Sequence, residues 1–169
     1  PPAFERAGPR RQIYFDPSKS KAGIVTCGGL CPGLNDVIRA AVLSLHYHYG
    51  VQKVYGFRYG YAGLNPACGY EPVELTPGRV ESISTTGGTV LGSSRGDQPV
   101  PIMVDTLVTM GINVLLAVGG DGTLRGAQAI VEEIARRDLD IAVIGIPKTI
   151  DNDIAYIAQS FGFQTAASE

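Results

Sequence analysis

A chain of 169 residues, 44% hydrophobic and 18% charged, is long enough for one domain with a real core. Its 14 Lys and Arg against 16 Asp and Glu leave a formal charge of -2, which offers no basic footprint for nucleic acid or for an anionic membrane. No run approaches the roughly 20 apolar residues of a membrane span, and "PPAFERAGPRRQ" lacks the apolar segment of a secretory signal.

Residues 1 to 20 carry Pro, Arg and Ser without a period and read as an irregular arm. "KAGIVT" (21 to 26) is a buried parallel strand ending in a Gly-rich turn. Val37, Ile38, Ala41, Val42 and Leu45 then recur at helical spacing behind Asn35 as N-cap, and Gly50 closes the helix. "VQKVYGF" (51 to 57) is the next strand, followed by a Gly/Tyr-rich loop to about residue 70. Thr76 caps a short helix with Pro77 at its first position. "TTGGTVLGSSRGDQP" is loop, with a short strand at most, and a helix near 99 to 110 stops before Gly111. "NVLLAV" (113 to 118) is strand and "GGDGT" turn, and Leu124, Ala127, Ile130, Val131 and Ile134 form the stripe of a further helix. "DIAVIGI" (140 to 146) is the last strand.

This alternation predicts an α/β fold: a doubly wound, mostly parallel, Rossmann-like sheet with helices on both faces. The missing initial Met and the ending "FGFQTAASE", a helix start with little helix after it, predict a piece of a longer protein. Cys27, Cys31 and Cys68 are odd in number and lack zinc-like clustering, so reduced thiols in a cytosol-like compartment are expected, with a Cys27–Cys31 redox pair as the alternative.

Ligands of open parallel sheets bind outside the carboxyl ends of the strands. Three unusual loops follow strands here, at 27 to 33, 119 to 123 and 147 to 153, and parallel strands would bring all three to one edge. "CGGLCPG" joins a strand to a helix start, where backbone N–H groups suit phosphate, but it is neither a dinucleotide fingerprint nor a Walker A loop, and a tight structural turn reads equally well. In "VGGDGT", Gly119, Gly120 and Gly122 let phosphates approach the backbone, and Asp121 suits Mg²⁺, which takes one or two carboxylates with phosphate oxygens and water; the bland alternative is a Gly-Asp-Gly turn.

"PKTIDND" divides into distinct tasks if it is more than a polar cap. Asp151 accepts the proton of an attacking hydroxyl, Asp153 orients that hydroxyl or helps position the cation, Lys148 offers charge to a phosphoryl group and Thr149 a hydroxyl donor. Arg95, in "GGTVLGSSRG", holds phosphate oxygens through paired N–H bonds or is simply solvated. His46 and His48, late in a helix and two residues apart, point away from each other and read as surface residues.

Taken in order, "GIVTCGGLCPGLNDVIR", "GFRYGYAGL", "TTGGTVLGSSRG", "GINVLLAVGGDGT" and "GIPKTIDND…FGFQTA" resemble the 6-phosphofructokinases, in particular the plant and protist branch opening with "AGPR…IYF". The resemblance covers residues 5 to 169 and implies a phosphofructokinase-type fold, with a nucleotide-binding α/β domain over 21 to 169 after the arm. It implies phosphoryl transfer in glycolysis from ATP to O1 of fructose 6-phosphate, giving fructose 1,6-bisphosphate. Asp151 then matches the base, Asp121 the Mg²⁺ ligand, Gly29, Arg95, Gly122 and Thr123 the donor site, and Thr149 and Asp153 positions beside the phosphoryl and sugar. Gly126 falls where the family's helix approaches the nucleotide.

Pyrophosphate-using members carry Asp where this chain has Gly122, which leaves room for ATP; Lys148, however, is typical of the pyrophosphate users. The pair resembles the mixed plant and protist group, which generally uses ATP. Many plant enzymes read "GGNGT", whereas this chain keeps Asp121, and Arg39 matches a bacterial effector-site arginine while Leu43 stands where another is expected. The family's second sugar-phosphate motif, with Met-Gly-Arg, is not among these residues. A cytoplasmic enzyme, or a plastid one if plant or algal, assembled as a homo-oligomer (a tetramer at full length) is implied. The competing readings are a pyrophosphate-dependent enzyme and a non-catalytic nucleotide-binding subunit or fragment.

Overall fold

The computed structural model describes residues 12–168. The expected arm over residues 1 to 20 falls in part on 1–11, outside the described residues, and residues 12–20 contain turns but no helix or strand.

Strand β1 (Lys21–Thr26) leads through the first Gly-rich loop into helix α1 (Leu34–Leu43). The helix begins earlier than its sequence suggests. Its N-cap is Gly33, at φ 88, a left-handed conformation that costs glycine nothing. Asn35 is not a cap: it lies buried in the first turn, where its Nδ2 donates to the Thr86 carbonyl (2.7 Å) and its Oδ1 accepts from the Val90 N–H (2.8 Å). Beyond Leu43 the chain widens into a π-helical segment, Ser44–His48, before Gly50 turns it at φ 77.

Strand β2 (Lys53–Phe57) starts two residues later than expected, and the Gly/Tyr-rich loop after it holds two 3₁₀ turns, Gly60–Leu64 and Pro66–Cys68. A two-residue strand, β3 (Val73–Glu74), has no counterpart in the sequence reading. Helix α2 (Pro77–Val80) is capped as expected, Thr76 accepting the Arg79 N–H at 3.3 Å. Helix α3 (Val100–Met110) ends at Gly111, φ 68. After β4 (Val114–Gly119), helix α4 (Asp121–Arg136) opens directly at Asp121, so most of "GGDGT" is the first turn of a helix and not a free turn. Strand β5 (Ala142–Pro147) and helix α5 (Phe163–Ser168) follow.

The sheet runs β3-β2-β1-β4-β5, parallel except for the antiparallel β3 edge. Because strand side chains alternate between faces, Leu115 and Ala117 of β4 join one core, and Leu116 and Val118 the other. The first core lies under α3 and α4 with Val25, Phe57, Leu107, Ile130 and Ile134; the second lies under α1 and α2 with Ile24, Ile38, Val42 and Val80. Each fully buried Leu, Ile or Phe contributes roughly 1.5–3 kcal/mol, so both helical layers are tied to the sheet. The doubly wound α/β arrangement is therefore observed.

Candidate active site

The order β2-β1-β4 makes β1 and β4 the strands at which the winding reverses, the position where open parallel sheets bind ligands. The hydrogen-bond ladder continues past both strand ends into the loops. The Cys27 N–H donates to the Val118 carbonyl and the Lys148 N–H to the Gly119 carbonyl, each at 2.9 Å. The three loops at 27, 119 and 147 thus leave one edge, side by side, and a cleft of about 570 Å³ opens among them.

One wall is built by two loops clasped together. The Gly28 N–H donates to the Ser94 carbonyl (3.1 Å), and Ser93 Oγ returns a bond to the Gly28 carbonyl (2.5 Å). Thr26 Oγ1 donates to the Gly92 carbonyl (2.8 Å), and Ser94 Oγ to the carbonyl of Tyr59 (2.6 Å), itself left-handed at φ 57. This clasp seats Arg95 over Gly29: its Nη2 is 3.7 Å from the point where a Cβ would stand on that glycine.

The opposite wall is the start of α4. The first helical bond runs from the Leu124 N–H to the Gly120 carbonyl, so the N–H groups of Asp121, Gly122 and Thr123 have no acceptor within the helix and carry its positive dipole end. A Cβ on Gly122 would meet nothing within 4 Å, leaving open space along the cleft. Tyr61 closes the floor, its hydroxyl on the Thr123 carbonyl (2.7 Å) and its ring against Gly126.

Lys148 supplies the decisive electrostatic feature. It lines the cleft, is only 8% exposed, and among the described residues its ammonium makes no hydrogen bond or ion pair. Its stem is packed away while the ammonium opens to the cleft, so an anionic ligand there gains a charge-assisted bond. Nearby, burial pushes the Cys27 thiol up to about 11, partly offset by the Tyr61 N–H, the Thr123 hydroxyl and Lys148. Burial likewise raises the Tyr61 hydroxyl, and Cys27 adds to that rise. Cys27 and Cys31 are free thiols in different core clusters, on opposite faces of the sheet.

Of the residues singled out from sequence, Gly29, Arg95, Gly120, Gly122, Thr123, Gly126 and Lys148 line the cleft. Asp121 is exposed between two of these glycines. Thr149, Asp151 and Asp153 are not among the lining residues. They form a turn just after Lys148, in which Thr149 Oγ1 accepts the Asp151 N–H (3.1 Å) and donates to Asp153 Oδ1 (2.5 Å). His46 and His48 lie on the π-helical segment, away from the cleft lining.

Sequence reasoning missed Tyr61, Ser93, Ser94 and Thr26, which hold the walls through bonds to residues 35 to 66 positions distant. Among the described residues no group of three or more His, Cys, Asp or Glu side chains suits a metal, and no helix is long and apolar enough to cross a membrane. Asp121, whose carboxylate has no partner among the described residues, fits a cation that takes its other ligands from phosphate and water.

The family model described as Phosphofructokinase matches residues 21–169. An ATP-dependent 6-phosphofructokinase from Amycolatopsis methanolica is 57% identical over 165 residues, covering 98% of this chain and 36% of that protein. A solved structure of Pichia pastoris phosphofructokinase in the T-state superposes with a TM-score of 0.74 at 27% identity, covering 92% of this chain and 17% of that one. A pyrophosphate-dependent phosphofructokinase from Marinobacter aquaeolei gives 0.76 at 22% identity over 85% of this chain and 37% of its own. The chain spans about a third of the length of the curated relatives it matches.

Proposed function

The chain belongs to the phosphofructokinase family, and on that premise we propose that residues 21 to 169 are the nucleotide-binding part of an enzyme that transfers a phosphoryl group from ATP to O1 of fructose 6-phosphate. The observation that carries the reading is the ammonium of Lys148, unpaired among the described residues and open to a cleft that also receives Arg95 and the free N–H groups of α4. Arg95, Lys148 and the helix N–H groups converge on one cavity whose lining also holds Arg125 against a single carboxylate, Asp97, and that positive balance suits a chain of phosphates.

In this mechanism the donor phosphates lie along Gly29, Gly120, Gly122 and Thr123, with Gly126 beneath the nucleoside, and Arg95 and Lys148 take their oxygens. Mg²⁺, held by Asp121, would neutralise charge on the phosphates when bound. Asp151 accepts the proton from O1 of the sugar as O1 bonds to the γ-phosphorus and the bond to the β-phosphate oxygen breaks, leaving ADP. Thr149 and Asp153, bonded to each other, hold the turn and orient the hydroxyl. A homo-oligomeric, cytoplasmic enzyme belongs to the same proposal.

ATP is favoured over pyrophosphate because Gly122 leaves open space where a side chain would crowd and repel an inner phosphate. Lys148 supports pyrophosphate as the second reading. The test is turnover of the intact protein with fructose 6-phosphate and either donor at matched Mg²⁺. MgATP is expected to win, and Asp151→Asn to lose roughly 10²–10⁴-fold in kcat while calorimetric MgATP affinity stays within about twofold. Preference for pyrophosphate would reverse the donor assignment, and an undiminished rate in Asp151→Asn would remove the base.

A further inference from the structure

Between the two acids of "TIDND" stands Asn152, to which the mechanism above gives no task. We propose that it is a positioning residue for Asp151, an inference that rests on reading Asp151 as the base.

The turn fixes Asp151 from only one direction. On its N-terminal side, the Asp151 N–H is held by Thr149 Oγ1 at 3.1 Å. On its C-terminal side the next residue is Asn152 at φ 55, a left-handed conformation that side chains other than Asn and Asp seldom tolerate. Both polar atoms of the Asn152 side chain are engaged across the following loop. Its Oδ1 accepts the Ser160 N–H at 2.7 Å, and its Nδ2 donates to the Ala158 carbonyl at 3.3 Å. The amide therefore sets the direction in which the chain leaves Asp151 and closes the loop that follows.

The far end of this bridge is anchored in the molecule. Ser160 is buried, and its hydroxyl has no partner, so its side chain does not tie the loop; its N–H bond to Asn152 does. Phe161 packs against the core beneath α1. Gly162, at φ 80, lies so close to the first Gly-rich loop that a Cβ there would fall 2.1 Å from the Pro32 carbonyl oxygen. The contacts thus run from Asn152 through Ser160 to Pro32, joining the acidic turn to the loop that begins the cleft. Loss of the bridge would leave Asp151 held from one side, and displacement of a reacting group by about 1 Å costs as much as 10²-fold in rate.

The test uses the intact protein. Asn152→Gly keeps access to the left-handed backbone and removes both bonds. We expect kcat with fructose 6-phosphate and MgATP to fall about 10- to 100-fold, KM for MgATP to stay within about twofold, and the Ser160 amide to lose its protection from hydrogen exchange. Asn152→Asp, which keeps an acceptor for that N–H, should restore the protection. Wild-type kcat in Asn152→Gly, or a lost kcat with Ser160 still protected, would overturn the proposal. So would an Asn152→Asp variant that leaves Ser160 unprotected. A wild-type protein that does not phosphorylate fructose 6-phosphate would instead overturn the assignment of Asp151, while Ser160 exchange would still report on the bridge.

Discussion

The hydroxyl of Tyr61 donates to the backbone carbonyl of Thr123 across 2.7 Å, tying the loop after β2 to the first turn of α4. The same ring lies against Gly126, one turn further along, where a Cβ would stand 2.6 Å from its Cε2. The free N–H groups at the start of α4 are therefore aimed by a side chain from another part of the sheet edge. Removing the hydroxyl in Tyr61→Phe should cost roughly 0.5–1.5 kcal/mol, or about 2- to 12-fold in MgATP affinity if the loss falls on the bound state. Gly126→Ala should displace the ring and destabilise the protein by roughly 1–3 kcal/mol. Calorimetry and thermal unfolding of the two variants check this; a Tyr61→Phe protein equal to wild type in both would deny the tie any role.

Lys148 makes a different kind of prediction, because its ammonium opens to the cleft with no partner among the described residues until a ligand arrives. Lys148→Met keeps most of the side-chain volume and removes the charge. Since the ammonium bonds to nothing among the described residues, the ligand-free variant should unfold at about the temperature of wild type. Its affinity for MgATP should drop about 10- to 150-fold, the worth of a charge-assisted bond of roughly 1.5–3 kcal/mol. Lower thermal stability with unchanged affinity would make Lys148 a structural residue.

Gly122 tests the steric argument about the donor. Since a Cβ there meets nothing within 4 Å, Gly122→Asp should fold as the parent does. The new carboxylate would occupy the open space beside the free N–H groups of α4 and repel an inner phosphate, raising KM for MgATP by at least about 10-fold, the equivalent of 1.4 kcal/mol. An unchanged KM would move the donor phosphates away from α4.

The strands and the shared edge of the three loops were legible because the signals are local: β1, β4 and β5 are short apolar runs, each followed by a change of composition. The start of α1 was misread because Asn35 has the chemistry of a cap, yet spends both polar atoms on residues 51 and 55 positions away. "GGDGT" looked like a turn because glycine disfavours helix interiors, but a first turn lacks the helical acceptors that make an interior cooperative. Strand β3, two residues long and paired only with β2, offers no period to detect. Tyr61, Ser93 and Asn152 share the same difficulty: each acts through a partner that becomes a neighbour only after folding. Residue type marked the three loops that meet at one sheet edge, and long-range pairing decided how they are held.

Glu133 joins the far end of α4 to α3 and yields a pH prediction with a definite sign. Its carboxylate accepts from Arg136 (2.7 and 2.8 Å) and from Arg137 (2.6 Å), while Arg137 also reaches Asp105 and the Pro101 carbonyl on α3. Hydrogen bonds from Arg136 first, and then from Arg137, hold the Glu133 carboxyl down to about 2, against an ordinary value of 4.5. A carboxyl lowered by folding stabilises the native state above its ordinary value and loses that contribution as pH falls toward its folded value. Glu133→Gln should therefore melt below wild type at pH 7, and the gap should narrow between about pH 4.5 and pH 2 and vanish at the lower end. The arginines are partly solvated, so the gap at pH 7 should be small and should shrink further in high salt. Parallel melting curves of the two proteins across that window would mean that this carboxylate is not paired in solution as it is in the structure.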